Sequence, residues 1–102
     1  MNYELTELVR EWRREKGIDN PKTQMLKCCE EINEVVREVV RERYDTPEIK
    51  DGIGDTLVTI IVLADILNLD LDECLQMAYD TISKRKGKIV DGNFIKQEDL
   101  NA

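Results

Sequence analysis

The chain has 102 residues, room for one small module spanning residues 1–102 and little material for a second core. Its 22 Asp and Glu against 15 Lys and Arg leave a formal charge of −7, which argues against a nucleic-acid backbone as partner. Histidine is absent, which excludes imidazole bases, Ser-His-Asp and Cys-His nucleophile systems and His-ligated zinc. Chemistry must therefore run on carboxylates, lysine, arginine or thiols. Cys28, Cys29 and Cys74 form no CxxC pair, so no disulfide framework is expected and a reducing, cytoplasmic setting fits. The longest apolar run, Leu57 to Leu67, is broken by Asp65 and too short for a bilayer, so no membrane association is expected.

In chain order, Leu5, Leu8, Val9 and Trp12 recur at helical spacing and predict a first helix over about residues 3–16, stopped near Gly17. A second helix, about 21–44, carries an apolar stripe of Met25, Cys28, Cys29, Ile32, Val35, Val36, Val39 and Val40, with Lys27, Glu30, Glu31, Glu34, Glu38 and Arg41 opposite. Thr46 as N-cap and Pro47 at the first helical position open a third helix, about 47–67. Its second half is apolar almost all round and belongs in the core or at a subunit interface. Asp70 and Glu73 read as a capping box opening a fourth helix over about 70–86, with Gly87 as the stop. Asp91-Gly92 between two short apolar runs predicts a β-hairpin over about 88–96, and Gln97 to Ala102 read as a loose tail. The fold class is all-α, a four-helix bundle subunit with a small C-terminal β-hairpin. The uncovered apolar half of the third helix predicts at least a homodimer.

Nine acids lie between Glu30 and Asp55. Glu30/Glu34 and Glu34/Glu38 are i,i+4 pairs of like charge, each weakening the helix by about 0.2–0.5 kcal/mol. Only Lys27 and Arg41, at the ends of the band, offset them. On the third helix Glu48, Asp51 and Asp55 again share one face. Packing the two helices together would make a small cage of hard oxygen ligands, which selects Mg²⁺ or Mn²⁺ and leaves room for substrate phosphates. Clustered magnesium polarises a phosphoryl group and activates water. Lys84, Arg85, Lys86 and Lys88 could steady a leaving group.

The stretch Cys29-Glu30-Glu31-Ile32-Asn33-Glu34-Val35, followed by Asp51-Gly52-Ile53-Gly54-Asp55-Thr56, resembles the paired ExxE and ExxD motifs of the MazG-like all-alpha nucleoside triphosphate pyrophosphohydrolases. The resemblance spans roughly residues 3–96, and the Lys50–Asp55 segment with the closing hairpin looks like the small single-domain subgroup of bacteria and phages. It implies Mg²⁺-dependent hydrolysis of a nucleoside triphosphate to monophosphate and pyrophosphate, in a homodimer or a dimer of dimers, as house-cleaning of non-standard nucleotides. It further implies that Glu31 is the catalytic residue acting on the attacking water, while Glu31, Glu34, Asp51 and Asp55, with Glu30 and Glu48 as further candidates, hold metal. Two positions depart from the pattern. The Glu expected three residues before Asp55 is Gly52, and Glu48-Ile49-Lys50-Asp51 also satisfies ExxD, so Asp51 or Glu48 takes the vacant role. Near the end of the fourth helix the family's Asn and Arg are Asp80 and Arg85 here.

For the phosphates the candidates are Lys27, Asp80, Lys84, Arg85 and Lys88. Trp12 could stack on a base, but its place in the Leu5, Leu8, Val9 stripe favours core packing. Cys28 and Cys29 read as helix-face thiols in the core, and Asp65 as a capping or interface group. Two other functions fit the same residues: a non-catalytic helical oligomer binding nucleotide or protein through a degenerate site, and a phosphoribosyl-nucleotide pyrophosphatase.

Overall fold

The computed structural model describes residues 2–100. Helices α1 (Tyr3–Lys16), α2 (Pro21–Val40) and α3 (Pro47–Ile66) make up one compact unit ending at Asp70. A second unit from Leu71 holds α4 (Leu71–Ile82), the strands β1 (Gly87–Val90) and β2 (Asn93–Lys96), and the short α5 (Gln97–Leu100). The fold is mainly helical with a small C-terminal hairpin. Among the described residues no single helix is long and apolar enough to cross a membrane.

Local chemistry sets the helix ends. The side chains of Asn2, Asn20 and Thr46 accept from the N–H groups of Leu5, Thr23 and Ile49 at 3.1, 3.1 and 3.2 Å, and Pro21 and Pro47 begin their helices without a wasted donor. Gly17 closes α1 in the left-handed region at φ 73°, where the Ile18 N–H returns to the Arg13 carbonyl. α2 stops at Val40, short of the predicted 44. Glu42 adopts φ 58° and the Arg43 N–H reaches the Glu38 carbonyl, a Schellman turn made without glycine. Asn68 at φ 57° ends α3 the same way.

α4 likewise ends at Ile82 and not near Lys86, and Gly87 is no helix stop: it is the first residue of β1, paired with Lys96. A Cβ there would run into the Ile95 carbonyl and the Phe94 ring, so the close cross-strand approach requires glycine. Asp91 and Gly92, at φ 50° and 78°, form the two-residue hairpin loop that the Asp-Gly pair predicts. Of the expected loose tail, Gln97–Leu100 is helical, and its last two residues lie outside the described ones.

The core of the first unit is small: Cys28, Ile61, Val62 and Ala64, joined by buried Thr6, Gln24 and Thr59. The apolar half of α3 is central, as its pattern predicts. The stripes of α1 and α2 are not. α2 seats Gln24, Cys28, Glu31 and Val35 inward, and leaves Met25, Ile32, Val36, Val39 and Val40 exposed. Cys29 and Cys74 are exposed too, so only Cys28 is the core thiol expected. On α1, Thr6, Val9 and Arg13 are covered, while Leu5, Leu8 and Trp12 are exposed. Periodicity finds the faces of a helix; it does not say which face the rest of the chain covers.

Candidate active site

α2 and α3 pack closely where Gly52 meets Val35. A Cβ on Gly52 would stand 2.9 Å from Val35 Cγ2. A glutamate at this position would have to start inside that contact. The absence of the ExxD glutamate is thus tied to tight helix packing. Beside Gly52 lies a cleft of about 330 Å³. Glu34 and Glu38 line it from α2, and Glu48, Asp51 and Asp55 from α3. Both candidates for the lost ligand, Asp51 and Glu48, therefore reach this cleft. Arg37 and Arg41 line it as well, one turn apart on α2.

A second, more apolar pocket of about 650 Å³ adjoins it within the same unit. Its walls include Trp12, Gln24, Val58 and Val62, and its polar end carries Lys27, Glu30, Glu31 and Asp55. Asp55 lines both cavities. Trp12 is 45 % exposed and forms a wall, so the reading of it as a core residue does not hold.

The electrostatics of this junction are uncompensated. The side chain of Glu31 is only 14 % exposed. Burial pushes its carboxyl above the usual carboxylate range, and repulsion from Glu34 and Asp55 adds to that; Lys27 opposes it. Lys27 bridges Glu30 at 3.4 Å and Glu31 at 3.7 Å, and the hydrogen bond and charge of Glu30, then the charge of Glu31, hold its ammonium above its ordinary value. Among the described residues no basic side chain pairs with Glu34, Glu48, Asp51 or Asp55. Nor do three acids or thiols among them converge closely enough to hold an ion. The cage expected from helix spacing is instead an open row of carboxylates along two walls of the cleft. The donor set itself, all hard oxygen with one acid raised by its acidic neighbours, fits Mg²⁺ or Mn²⁺.

The other predicted residues lie in the second unit. Asp80 accepts from Gln76 Nε2 at 2.9 Å on α4. Lys84 and Arg85, with Lys86 and Lys96, line a basic cleft of about 660 Å³, while Lys88 stands on β1 opposite Ile95.

Arg37 and Gln24 were not singled out from the sequence, and Arg41 was read only as offsetting the acid band. The arginines fall at i+3 and i+7 from Glu34, a spacing that could have flagged them as sharing its face. Gln24 is a polar residue one turn before Cys28 on the buried side, a position where an amide needs a reason. Asp65, to which spacing assigned only capping or an interface, is the anchor of α1. Arg13 Nε donates to it at 2.7 Å and Arg14 Nη2 at 3.0 Å, with Arg10 at 4.0 Å. Burial by itself would raise the Asp65 carboxyl, and the hydrogen bonds and charges of Arg13 and Arg14 outweigh it and hold it below the ordinary range.

Comparison with known proteins identifies the domain. The family model of the MazG nucleotide pyrophosphohydrolase domain matches residues 19–90. Among solved structures, that of a Bacillus-conserved MazG protein, a nucleotide pyrophosphohydrolase, is similar with a TM-score of 0.70 and 25 % identity. The match covers 81 % of this chain and 90 % of that one. No curated relative matches this chain. The chain is a helical hydrolase of nucleotide anhydride bonds by class, and it belongs to the MazG nucleotide pyrophosphohydrolase family.

Proposed function

We propose that the chain hydrolyses a nucleoside or deoxynucleoside triphosphate to the monophosphate and pyrophosphate with Mg²⁺, or Mn²⁺ in its place. The supporting observation is that one residue, Asp55, lies on both an apolar pocket sized for a nucleoside and a cleft of carboxylates and arginines suited to a metal-bound polyphosphate. A triphosphate lying across this junction puts its base against Trp12, its α-phosphorus beside Glu31 and Asp55, and its β- and γ-phosphates toward Arg37 and Arg41.

Glu34, Asp51 and Asp55 would hold the metal, with Glu31 at the edge of the set and Glu48 and Glu30 as neighbours able to join it. When bound, magnesium withdraws charge from the phosphoryl oxygens and neutralises the carboxylates that otherwise repel one another. Glu31, covered and raised by its surroundings, takes the proton from the attacking water. The water oxygen bonds to the α-phosphorus, the bond to the α,β-bridging oxygen breaks, and pyrophosphate leaves with the electron pair. Arg37 and Arg41 present guanidinium forks to it. Lys27 keeps Glu30 and Glu31 from repelling the substrate. Lys84, Arg85 and Lys88 are proposed as accessory phosphate contacts, and Asp80 as a polar neighbour to them.

The exposed Ile32, Val36 and Val39 face of α2 supports a homodimer, or a dimer of dimers, with that face covered by a second copy. The reducing environment suited to three free thiols supports a cytoplasmic setting, and removal of non-standard nucleotides is the proposed role. A panel of triphosphates with Mg²⁺, read out as pyrophosphate against orthophosphate, tests the activity. Magnesium-dependent pyrophosphate is expected. Binding without turnover would instead indicate a nucleotide-binding module, and turnover of a phosphoribosyl nucleotide alone would indicate the biosynthetic relative. Light scattering at micromolar concentration tests the dimer, and a monomeric mass would overturn it.

A further inference from the structure

Gln24 is 7 % exposed, the only buried glutamine among the described residues, and it lines the nucleoside-sized pocket with Trp12 and Thr59. Its Nε2 donates to the main-chain carbonyl of Thr59 at 3.0 Å. That carbonyl only accepts, so the amide nitrogen must face it and the amide oxygen must point elsewhere. No fully buried side-chain oxygen or nitrogen among the described residues lacks a partner, and the Gln24 side chain makes its hydrogen bond through Nε2, so Oε1 keeps some exposure, and the cavity that Gln24 lines is this pocket. The Thr59 hydroxyl on the same wall donates its proton to the Thr56 carbonyl at 2.7 Å and also has only lone pairs left to offer.

A free glutamine reads two kinds of base, because turning its amide by half a revolution exchanges acceptor for donor. Here the turn would set Oε1 against the Thr59 carbonyl, oxygen to oxygen, and forfeit the buried hydrogen bond to that carbonyl, so the orientation is locked. We propose that Gln24 is the base-reading residue and that it selects triphosphates whose base presents an exocyclic amino group at the pocket wall, cytosine and adenine, over the keto counterparts uracil and hypoxanthine. The amino group donates to Oε1. A keto oxygen in the same place meets lone pairs from both Gln24 and Thr59. With the phosphates anchored at the Asp55 junction, the base cannot slide along the wall to bring a ring N–H into register. This inference rests on the pyrophosphohydrolase reading and names its substrate class; it narrows the proposed house-cleaning role to triphosphates whose bases keep an amino group and leaves the deaminated dUTP and dITP outside it.

The experiment compares kcat/KM for dCTP against dUTP and for dATP against dITP with wild-type protein and Mg²⁺, since each pair differs only at the amino or keto group and the protonation of the ring nitrogen beside it. The amino member is expected to be favoured by about 10- to 100-fold, the range of one well-placed base contact. Equal turnover of both members, or preference for the keto member, overturns the role of Gln24 and leaves the hydrolase reading intact. Turnover of none overturns the hydrolase reading, and calorimetric binding of the non-hydrolysable α,β-methylene analogues of dCTP and dUTP then decides the base preference by itself. In Gln24→Met, similar in length and without polar atoms, the dCTP-to-dUTP ratio of kcat/KM should collapse toward one, with dCTP falling as its acceptor is lost and dUTP rising as a lone-pair repulsion is removed. An equal loss for both substrates would mean a packing role only and overturn the proposal.

Discussion

α3 carries two partly covered carboxylates, Asp55 in its N-terminal half and Asp65 at its C-terminal end, and they are treated in opposite ways. At Asp65 three arginines of α1 converge, the carboxyl is held ionised, and the result is a clamp that docks one helix on another. At Asp55 the neighbours are Glu31, Glu34 and Asp51, no arginine or lysine pairs with it, and the effect on Glu31 is to raise its carboxyl. A charge compensated from within the chain is structural. A cluster left uncompensated stores repulsion that a cation from solution relieves, which is why such clusters mark functional sites more reliably than the number of acids does.

The largest effect expected is at the uncompensated end. Glu31→Gln should lower kcat by about 10²- to 10⁴-fold, the usual contribution of a proton acceptor in place, as read by pyrophosphate release. The same change should raise the Tm measured without magnesium, because a buried charge and its repulsions are removed together. A lower Tm would break the contrast. At the compensated end, Asp65→Ala leaves Arg13 covered without its partner. The cost should be about 2 kcal/mol, discounted because the site is not fully dry. That corresponds to a Tm lower by roughly 10 °C in a domain of this size, with kcat of the folded fraction little changed.

Arg37→Ala and Arg41→Ala should each reduce kcat/KM by about 10-fold, the loss of one charge-assisted contact to phosphate, without altering the Tm.

The two ends also separate by pH. Asp65 has a folded pKa below its unfolded one, so its stabilisation is complete above the unfolded value, about 3.9, and is lost as pH falls through the lower folded value. Glu31 is raised, so its folded form favours the proton. Its contribution to stability is present below the unfolded value and disappears as pH rises through the folded one, while magnesium binding strengthens over that same rise. Thermal melts with and without Mg²⁺ should coincide at acid pH and separate toward neutral pH, with the Mg²⁺ curve the higher. Smallest is Gly52→Ala, where overpacking against Val35 outweighs the gain in helix propensity by about 1 kcal/mol; a more stable variant would show that the close approach is slack.

Much of this was legible in the chain before it folded. Asn20-Pro21, Thr46-Pro47 and Asp91-Gly92 act on their own neighbours within a few residues, so helix starts and the hairpin turn follow from local chemistry alone. The acids of α2 and α3, and the family they resemble, were visible because helical spacing lines them up without help from the rest of the molecule. Helix ends were less legible: Glu42 and Asn68 adopt left-handed conformations that their side chains do not demand, and Gly87 serves a strand because its partner Lys96 lies nine residues on.

What only the tertiary structure decided is rotation. Periodicity relates the residues of one helix to each other, and it leaves open the angle at which that helix meets its neighbour. The contact of Gly52 with Val35 sets that angle for α2. It turns Glu31 and Gln24 inward, leaves Ile32 and Val36 outside, and brings Arg37 and Arg41 to the carboxylate cleft. Sequence alone determined which groups were available for chemistry, because those groups are properties of residues. Which of them face one another was decided by packing, because a side chain needs a neighbour before it has a direction.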